Sequence, residues 1–543
     1  MISRVALSVL AAGALTCATR VERAHSVGAA DPGLGGAGGA GDGGAGAGGD
    51  LDAGIGGSAE CSFGEPGVCV PGSSEPCYEG PSGTEGMGSC AAGHRTCNAH
   101  GTAYEVCQDQ ALPRPDSCSS AAQWICDGQA AECNPLGLFE LIDPLVTGVR
   151  IGADAAGGWA RAYVALLDAP HLTVERIEAG QMTWSKQFAL STVGIDIDDV
   201  DAYVVAAVAV GADGSTFLAG NVAGDLALPG NPVVGPAAFL LALDASGSVA
   251  WSKALPSQSA EGWPATEIRA VAVSPTGDIV AAGEFYGELD LGGVVLKSAA
   301  TDGFVARFDA EGQAIWATAL GSAPTRGGLH SVALADDGTL YVGGYDDYQQ
   351  AESCGHTAAL LASFGPGGTP LWKKHFWSAL GTSATTALVA DSGGVYASGR
   401  IDTNLGNAMN LGGEPLDGTT FVARFSSAGD HVWSHATNDR LQGPAIGGYL
   451  GLEPGGRLIW ADQDGYGFHL RTYDAVGQLM WKRTVTKAKP DEGNWFYVLG
   501  LYGFAILSDG RLAVGGSFTG ALSFGGDSTS SEGHSGFFAT FDP

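Results

Sequence analysis

Residues 239–251 read FLLALDASGSVAW, two apolar runs joined by Asp244-Ala245-Ser246-Gly247, and this stretch decides the fold. Apolar residues on both sides of a short Gly-bearing turn mark a β-hairpin, because Gly takes positive φ without a steric penalty. The phrase returns as GFVARFDAEGQAIW at 303–316 and TFVARFSSAGDHVW at 420–433. Looser copies are ALLASFGPGGTPLW at 359–372, HLRTYDAVGQLMW at 469–481 and LTVERIEAGQMTW at 172–184. A second strand-turn-strand phrase recurs as AVAVSPTGDIVAAGEFYGELDLGG at 270–293, SVALADDGTLYVGG at 331–344 and AILSDGRLAVGGSFTGALSFGG at 505–526. Together the phrases make a four-stranded unit, with no helical periodicity between them.

Six Trp, from Trp184 to Trp481, end successive units about every 59 residues, and the 408 residues of 136–543 hold about seven units. An all-β chain follows, with a seven-bladed β-propeller over 136–543. The last unit ends at GFFATFDP without a Trp strand, while LFELI at 138–142 precedes the first complete unit. The N-terminal strand is therefore expected to complete the last blade and close the ring. The repeated Trp should pack between blades, and the small pairs Ala282-Gly283, Gly343-Gly344 and Gly515-Gly516 should let strands crowd near the axis.

Ahead of the repeats, an apolar run at 5–18 following Arg4 predicts a signal peptide over 1–27, too short to span a membrane. Residues 28–59 are Gly-rich and read as a flexible linker with an end-to-end distance of roughly 30 Å. Cys61, Cys69, Cys77, Cys90, Cys97, Cys107, Cys118, Cys126 and Cys133 predict a disulfide-rich module over 60–135. Cys354 would be a tenth partner, docking that module on the propeller. Zinc held beside His94 and His100 by Cys90 and Cys97 is the alternative, although paired CxxC spacing is lacking. With 58 acids against 26 bases and a net charge of −32, nucleic acid is excluded as a partner, and a membrane is engaged only through a lipid anchor. A monomer is expected.

No GxSxG elbow, HExxH or Walker loop occurs, and no catalytic or cofactor-binding residue is assigned. His330, His356, His375, His431, His435, His469 and His534 fall at unrelated repeat positions and read as loop or surface residues; His431 and His435 straddle Trp433 and should face one side. In GIDIDDVDAYV, Asp196, Asp198, Asp199 and Asp201 form the candidate metal site, for which calcium is the matching cation. A solvated inter-blade loop is the other reading. Asp462 with Asp464 is a weaker case, while Asp337-Gly338 and Asp509-Gly510 are turn pairs.

Several stretches resemble known families. Ala14-Leu15-Thr16-Cys17 resembles a bacterial lipoprotein signal, which implies Cys17 as lipid acceptor; cleavage by ordinary signal peptidase is the alternative. CVPGSSEPCYEGPSGTEGMGSC and CAAGHRTCNAHGTAYEVC resemble cysteine-rich modules of myxobacterial surface proteins, and LPRPDSCSSAAQWICDGQAAEC their "metal-binding motif" repeat. Ala242, Asp244, Gly247 and Trp251 look like the tryptophan-docking motif of quinoprotein-type propellers. GELDLGG followed by DGFVARFD is closer to the bacterial propeller repeats called SBBP. That resemblance implies an exported, surface-tethered binding or scaffold protein for a protein or glycan ligand, located outside the cell or in its envelope. The alternative is an extracellular hydrolase, lyase or quinoprotein-like oxidoreductase with its site at the central channel. Acid, His and Arg side chains converging in a deep pocket would favour the enzyme.

Overall fold

The computed structural model describes residues 69–78, 91–110, 139–144, 146–154, 157–166, 169–191, 204–256, 265–321, 326–347, 357–377, 381–401, 408–437, 448–463, 467–487, 499–523 and 528–541. In the N-terminal segment β1 (Ser74–Cys77) and β2 (Gly93–Thr96) pair as a two-stranded sheet. Disulfides join Cys69 to Cys97 and Cys77 to Cys107, with Cα separations of 5.9 and 5.8 Å. The Cys97 sulfur is therefore not available to zinc. Cys17, Cys61, Cys90, Cys118, Cys126, Cys133 and Cys354 lie outside the described residues, as do the predicted signal peptide and linker.

From β3 (Phe139–Pro144) onward the chain builds seven four-stranded antiparallel sheets around an axis. Blade 1 is β4 (Val146–Ala153), β5 (Trp159–Ala165), β6 (His171–Glu178) and β7 (Gln181–Ala189). Blade 2 is β8 (Ala207–Val210), β9 (Thr216–Val222), β10 (Ala237–Leu243) and β11 (Val249–Pro256). Blade 3 is β12 (Thr266–Val273), β13 (Ile279–Asp290), β14 (Val295–Phe308) and β15 (Ala314–Ala319). Blade 4 is β16 (Gly327–Leu334), β17 (Leu340–Asp347), β18 (Thr357–Phe364) and β19 (Pro370–Phe376). Blade 5 is β20 (Ser383–Asp391), β21 (Gly394–Ile401), β22 (Thr420–Ser426) and β23 (His431–Thr437). Blade 6 is β24 (Tyr449–Leu452), β25 (Leu458–Gln463), β26 (Gly467–Tyr473) and β27 (Leu479–Lys487). Blade 7 is β28 (Leu499–Ile506), β29 (Leu512–Ser523) and β30 (Ser528–Phe541), completed by β3, so the expected closure is present. The register pairs Phe139 with Ala539 and Ile142 with Gly536.

Each blade shares its core with both neighbours. In β10 all seven residues are buried, and the period of two sends them to opposite faces. Ala237, Phe239, Leu241 and Leu243 pack with blade 1, while Ala238, Leu240 and Ala242 pack with blade 3. This is why the 239–243 run reads as continuously apolar rather than alternating.

The hairpin turn ties one blade to the next. Asp244 takes the N–H of Ser246 and Ser248 on its carboxylate, both at 2.9 Å, and Gly247 sits at φ 78° in the bulge that follows. The indole of Trp184, one blade earlier, lies against Gly247 and donates its N–H to the Ala245 carbonyl at 2.9 Å. A Cβ at Gly247 would meet that ring at 2.7 Å. The contact repeats as Trp251 on Ala310 and Gly312, Trp316 on Pro366 and Gly368, Trp372 on Ser427 and Gly429, and Trp433 on Ala475 and Gly477. Trp packing between blades is thus the observed role.

Two junctions differ. The outer pair of blade 7 joins the two ends of the propeller chain, so no hairpin turn is present to receive Trp481, which instead packs against the core shared by blades 6 and 7. Between blades 7 and 1, Trp159 stacks on Phe538 with centroids 4.7 Å apart. Arg161, almost wholly buried, bonds Glu140 of the closing strand at 2.8 Å and Glu175 at 2.6 Å. Burial would lower the Arg161 pKa, but these two carboxylates raise it above its ordinary value.

Candidate functional site

Four of the seven innermost strands carry a one-residue irregularity at an equivalent place. Pairing of β12 with β13 slips between Ile268 and Ala270, of β16 with β17 between Leu329 and Ser331, of β20 with β21 between Thr385 and Ala387, and of β28 with β29 between Leu501 and Gly503. Each slip is a β-bulge, which leaves one residue outside the ladder and re-aims its side chain. The four residues so released are Arg269, His330, Thr386 and Tyr502, and all four line the axial cavity. Facing each bulge stands a Gly of the small pair or its equivalent: Gly283, Gly344, Gly399 and Gly516. A Cβ at Gly283 would overlap the Glu267 carbonyl oxygen, so the close strand approach requires Gly there.

The cavity has a volume of about 530 Å³ and takes lining residues from all seven blades, including Arg150, Ala206, Gly448 and Tyr449 besides the four above. This is within the range of small-molecule sites. The residue after the Gly of the second strand differs between blades: Asn221, Tyr345 and Arg400 line the cavity, and Glu284 bonds the lining residue Arg269. Asn221 is structural, since its side chain brackets the backbone of Ile268, accepting from the N–H at 2.9 Å and donating to the carbonyl at 3.0 Å.

Three guanidinium groups and two carboxylates set the electrostatics. Arg269 is held by Glu267 and Glu284, each at 2.7 Å, and Tyr345 donates its hydroxyl to the other Glu284 oxygen at 2.9 Å. Burial pushes Glu284 up, but the Arg269 charge and these hydrogen bonds outweigh it and hold the carboxyl below its ordinary range. Glu267 is raised, with burial the main cause. His330 is lowered to about 3 by burial and by the nearby charges of Arg269 and Arg400, which outweigh Glu284. It is therefore a neutral imidazole near pH 7, 5.3 Å from the Tyr345 ring. Arg150 donates to the Ala206 carbonyl at 2.8 Å and lies 5.4 Å from the centroid of the Tyr502 ring. The Nε of Arg400 is buried and makes no hydrogen bond among the described residues.

Asp196, Asp198, Asp199 and Asp201 lie outside the described residues, as does His356. Asp462 is occupied by Arg471. Asp337 caps its turn by accepting the Thr339 N–H, as the turn reading expects. His431 and His435 take separate partners, the hydroxyl of Ser434 and the carbonyl of Gly477. Among the described residues no group of three or more His, Cys, Asp and Glu is placed to hold a metal ion. The reading of His330 as a loop or surface residue is corrected, because the β16 bulge turns it toward the axis. Its signal in the sequence was positional: it occupies the same place in its repeat as Arg269, Thr386 and Tyr502.

No protein family matches the chain, and no curated protein does. Solved structures are similar at low identity. Virginiamycin B lyase from Staphylococcus aureus is 11% identical, with 74% of this chain and 99% of that chain covered and a TM-score of 0.37. The β-propeller domain of the Trilobed protease from Pyrococcus furiosus is 8% identical, with coverages of 70% and 97% and a TM-score of 0.38. The calcium-binding protein regucalcin from Agrobacterium tumefaciens is 12% identical, with coverages of 74% and 93% and a TM-score of 0.30. Likeness at this level carries nothing about ligand or activity, and the propeller stands on the seven sheets themselves.

Proposed function

We propose that this chain is an exported, surface-tethered propeller of the SBBP type that works by binding, and that its ligand is a glycan or protein group small enough to enter the axial cavity. One observation carries the reading: at a single bulge position four of the blades put Arg269, His330, Thr386 and Tyr502, dissimilar polar groups, into one cavity of about 530 Å³. Packing alone asks for the same residue in every blade, as it does with the Trp. Two disulfides in the N-terminal segment fit an oxidising compartment. The Gly-rich stretch at 28–59 suits a tether, with Cys17 as its lipid anchor. Ala206→Trp tests the reading by filling the cavity from the wall while leaving the rim contacts alone. The expected result is loss of ligand capture from cell-envelope extracts with the melting temperature kept. Capture unchanged in A206W would move the site to the blade-end loops.

An enzyme is the second reading, favoured by the convergence of His330, Glu284 and Arg269 at the axis, although a pKa lowered to about 3 makes His330 a weak base near pH 7. Against it, Glu284 is already committed to Arg269 and Tyr345, and no hydrogen bond orients the His330 ring among the described residues. Turnover of an envelope glycan or peptide that His330→Gln abolishes, with binding intact, would establish the enzyme instead.

A further inference from the structure

The charges inside the cavity are opposite to those of the whole molecule. The chain carries −32, yet the axial groups are Arg150, Arg269 and Arg400 against Glu267 and Glu284, an excess of one positive charge. Arg269 is satisfied by both carboxylates. Arg400 has no ion pair among the described residues, and its buried Nε lacks a hydrogen-bond partner there. Arg400 also lines the cavity, so its guanidinium is the cation there that no protein carboxylate neutralises among the described residues.

Resting on the cavity reading above, we propose that the axial cavity takes a sugar acid, with the ligand carboxylate on the Arg400 guanidinium and the hydroxylated ring against His330, Thr386 and Tyr502. A planar guanidinium matches a carboxylate in bidentate fashion. One surplus positive charge suits a monoanion better than a doubly charged phosphate. The remaining lining suits a sugar body: a neutral imidazole that both donates and accepts, a hydroxyl, and aromatic rings for the apolar face of a pyranose. The acidic exterior repels extended polyanions, whereas a single small anion meets the positive axis once inside.

Calorimetric titration of the full-length chain at pH 7 with D-glucuronate, D-galacturonate and N-acetylneuraminate, beside D-glucose and glucose 6-phosphate, tests the assignment. At least one sugar acid should bind about tenfold or more tightly than glucose. Arg400→Met should erase that preference, and Arg400→Lys, which keeps the charge without the fork, should restore only part of it. Melting curves of both variants, run alongside, establish that they are folded. Glucose bound as tightly as the acids, with R400M silent and A206W blocking both, would overturn the sugar-acid assignment and leave the cavity reading standing. Preference for glucose 6-phosphate would overturn the monocarboxylate. Failure of every probe to bind, together with envelope capture undiminished in A206W, would overturn both.

Discussion

At the rim, Trp184, Trp251, Trp316, Trp372 and Trp433 make one contact five times; at the axis, Arg269, His330, Thr386 and Tyr502 occupy one backbone position with four different side chains. Both places belong to the same repeat. Each rim contact joins one blade to the next, a demand identical at every hairpin turn, so the residues are uniform. Once Gly has let the strands approach, nothing in the packing prescribes what a bulge must carry into the channel. Difference at that position therefore reports what the ring does rather than what holds it together.

The largest effect should come at the closure, where no docked indole is present. Removing β3 strips blade 7 of its outer strand, takes buried Ile142 from the core and Glu140 from Arg161. A loss of about 5 kcal/mol or more is expected from urea unfolding. An unchanged transition would mean that the ring does not depend on this strand.

At the docked rim, Trp251→Ala should cost about 3 kcal/mol through lost packing on Gly312 and the lost bond to Ala310. Trp481→Ala, which has no turn to dock on, should cost roughly half as much. Equal losses would show that the turn contact adds nothing to ordinary burial. At the axis, Arg269→Met should cost about 2 kcal/mol, because it strands Glu267 and Glu284 beside each other without their cation. Arg400→Met should stay within about 0.5 kcal/mol of the parent. A large loss in R400M would make that arginine part of the scaffold.

At neutral pH the smallest effect is that of the His330 titration, which emerges only as the pH falls. His330 faces Arg269, Glu284, Tyr345 and Arg400, and its folded value of about 3 lies below the ordinary 6.5. Between those values the unfolded chain binds a proton that the folded chain refuses. The contribution of the neutral imidazole is thus complete above pH 6.5 and falls away as the pH drops toward 3. His330→Gln should flatten that part of the stability curve. The imidazole resonances of the parent should still report a neutral ring at pH 5, and a protonated ring there would contradict the burial of this group among cations.

The rim was readable in the sequence because its residues repeat. Trp251, Gly247 and Asp244 return at fixed spacing, so blade number, hairpins and the closure by 138–142 followed from counting. The axis was hidden for the same reason: Arg269, His330, Thr386 and Tyr502 share no residue type, and only their place opposite Gly283, Gly344, Gly399 and Gly516 relates them. Scattered histidines look unrelated until the bulge, a backbone event with no residue signature of its own, aligns His330 with Arg269. Charge counting misled in the same way, since a total of −32 conceals a positive axis.

The most direct test of the division between rim and axis is a crystal structure of the full chain soaked with D-glucuronate. Sugar density is expected inside the axial cavity, with its carboxylate on Arg400 and its ring beside His330 and Tyr502, and no ordered sugar at the docked Trp. Density at the blade-end loops or on the rim indoles, with the axis holding only solvent, would contradict it.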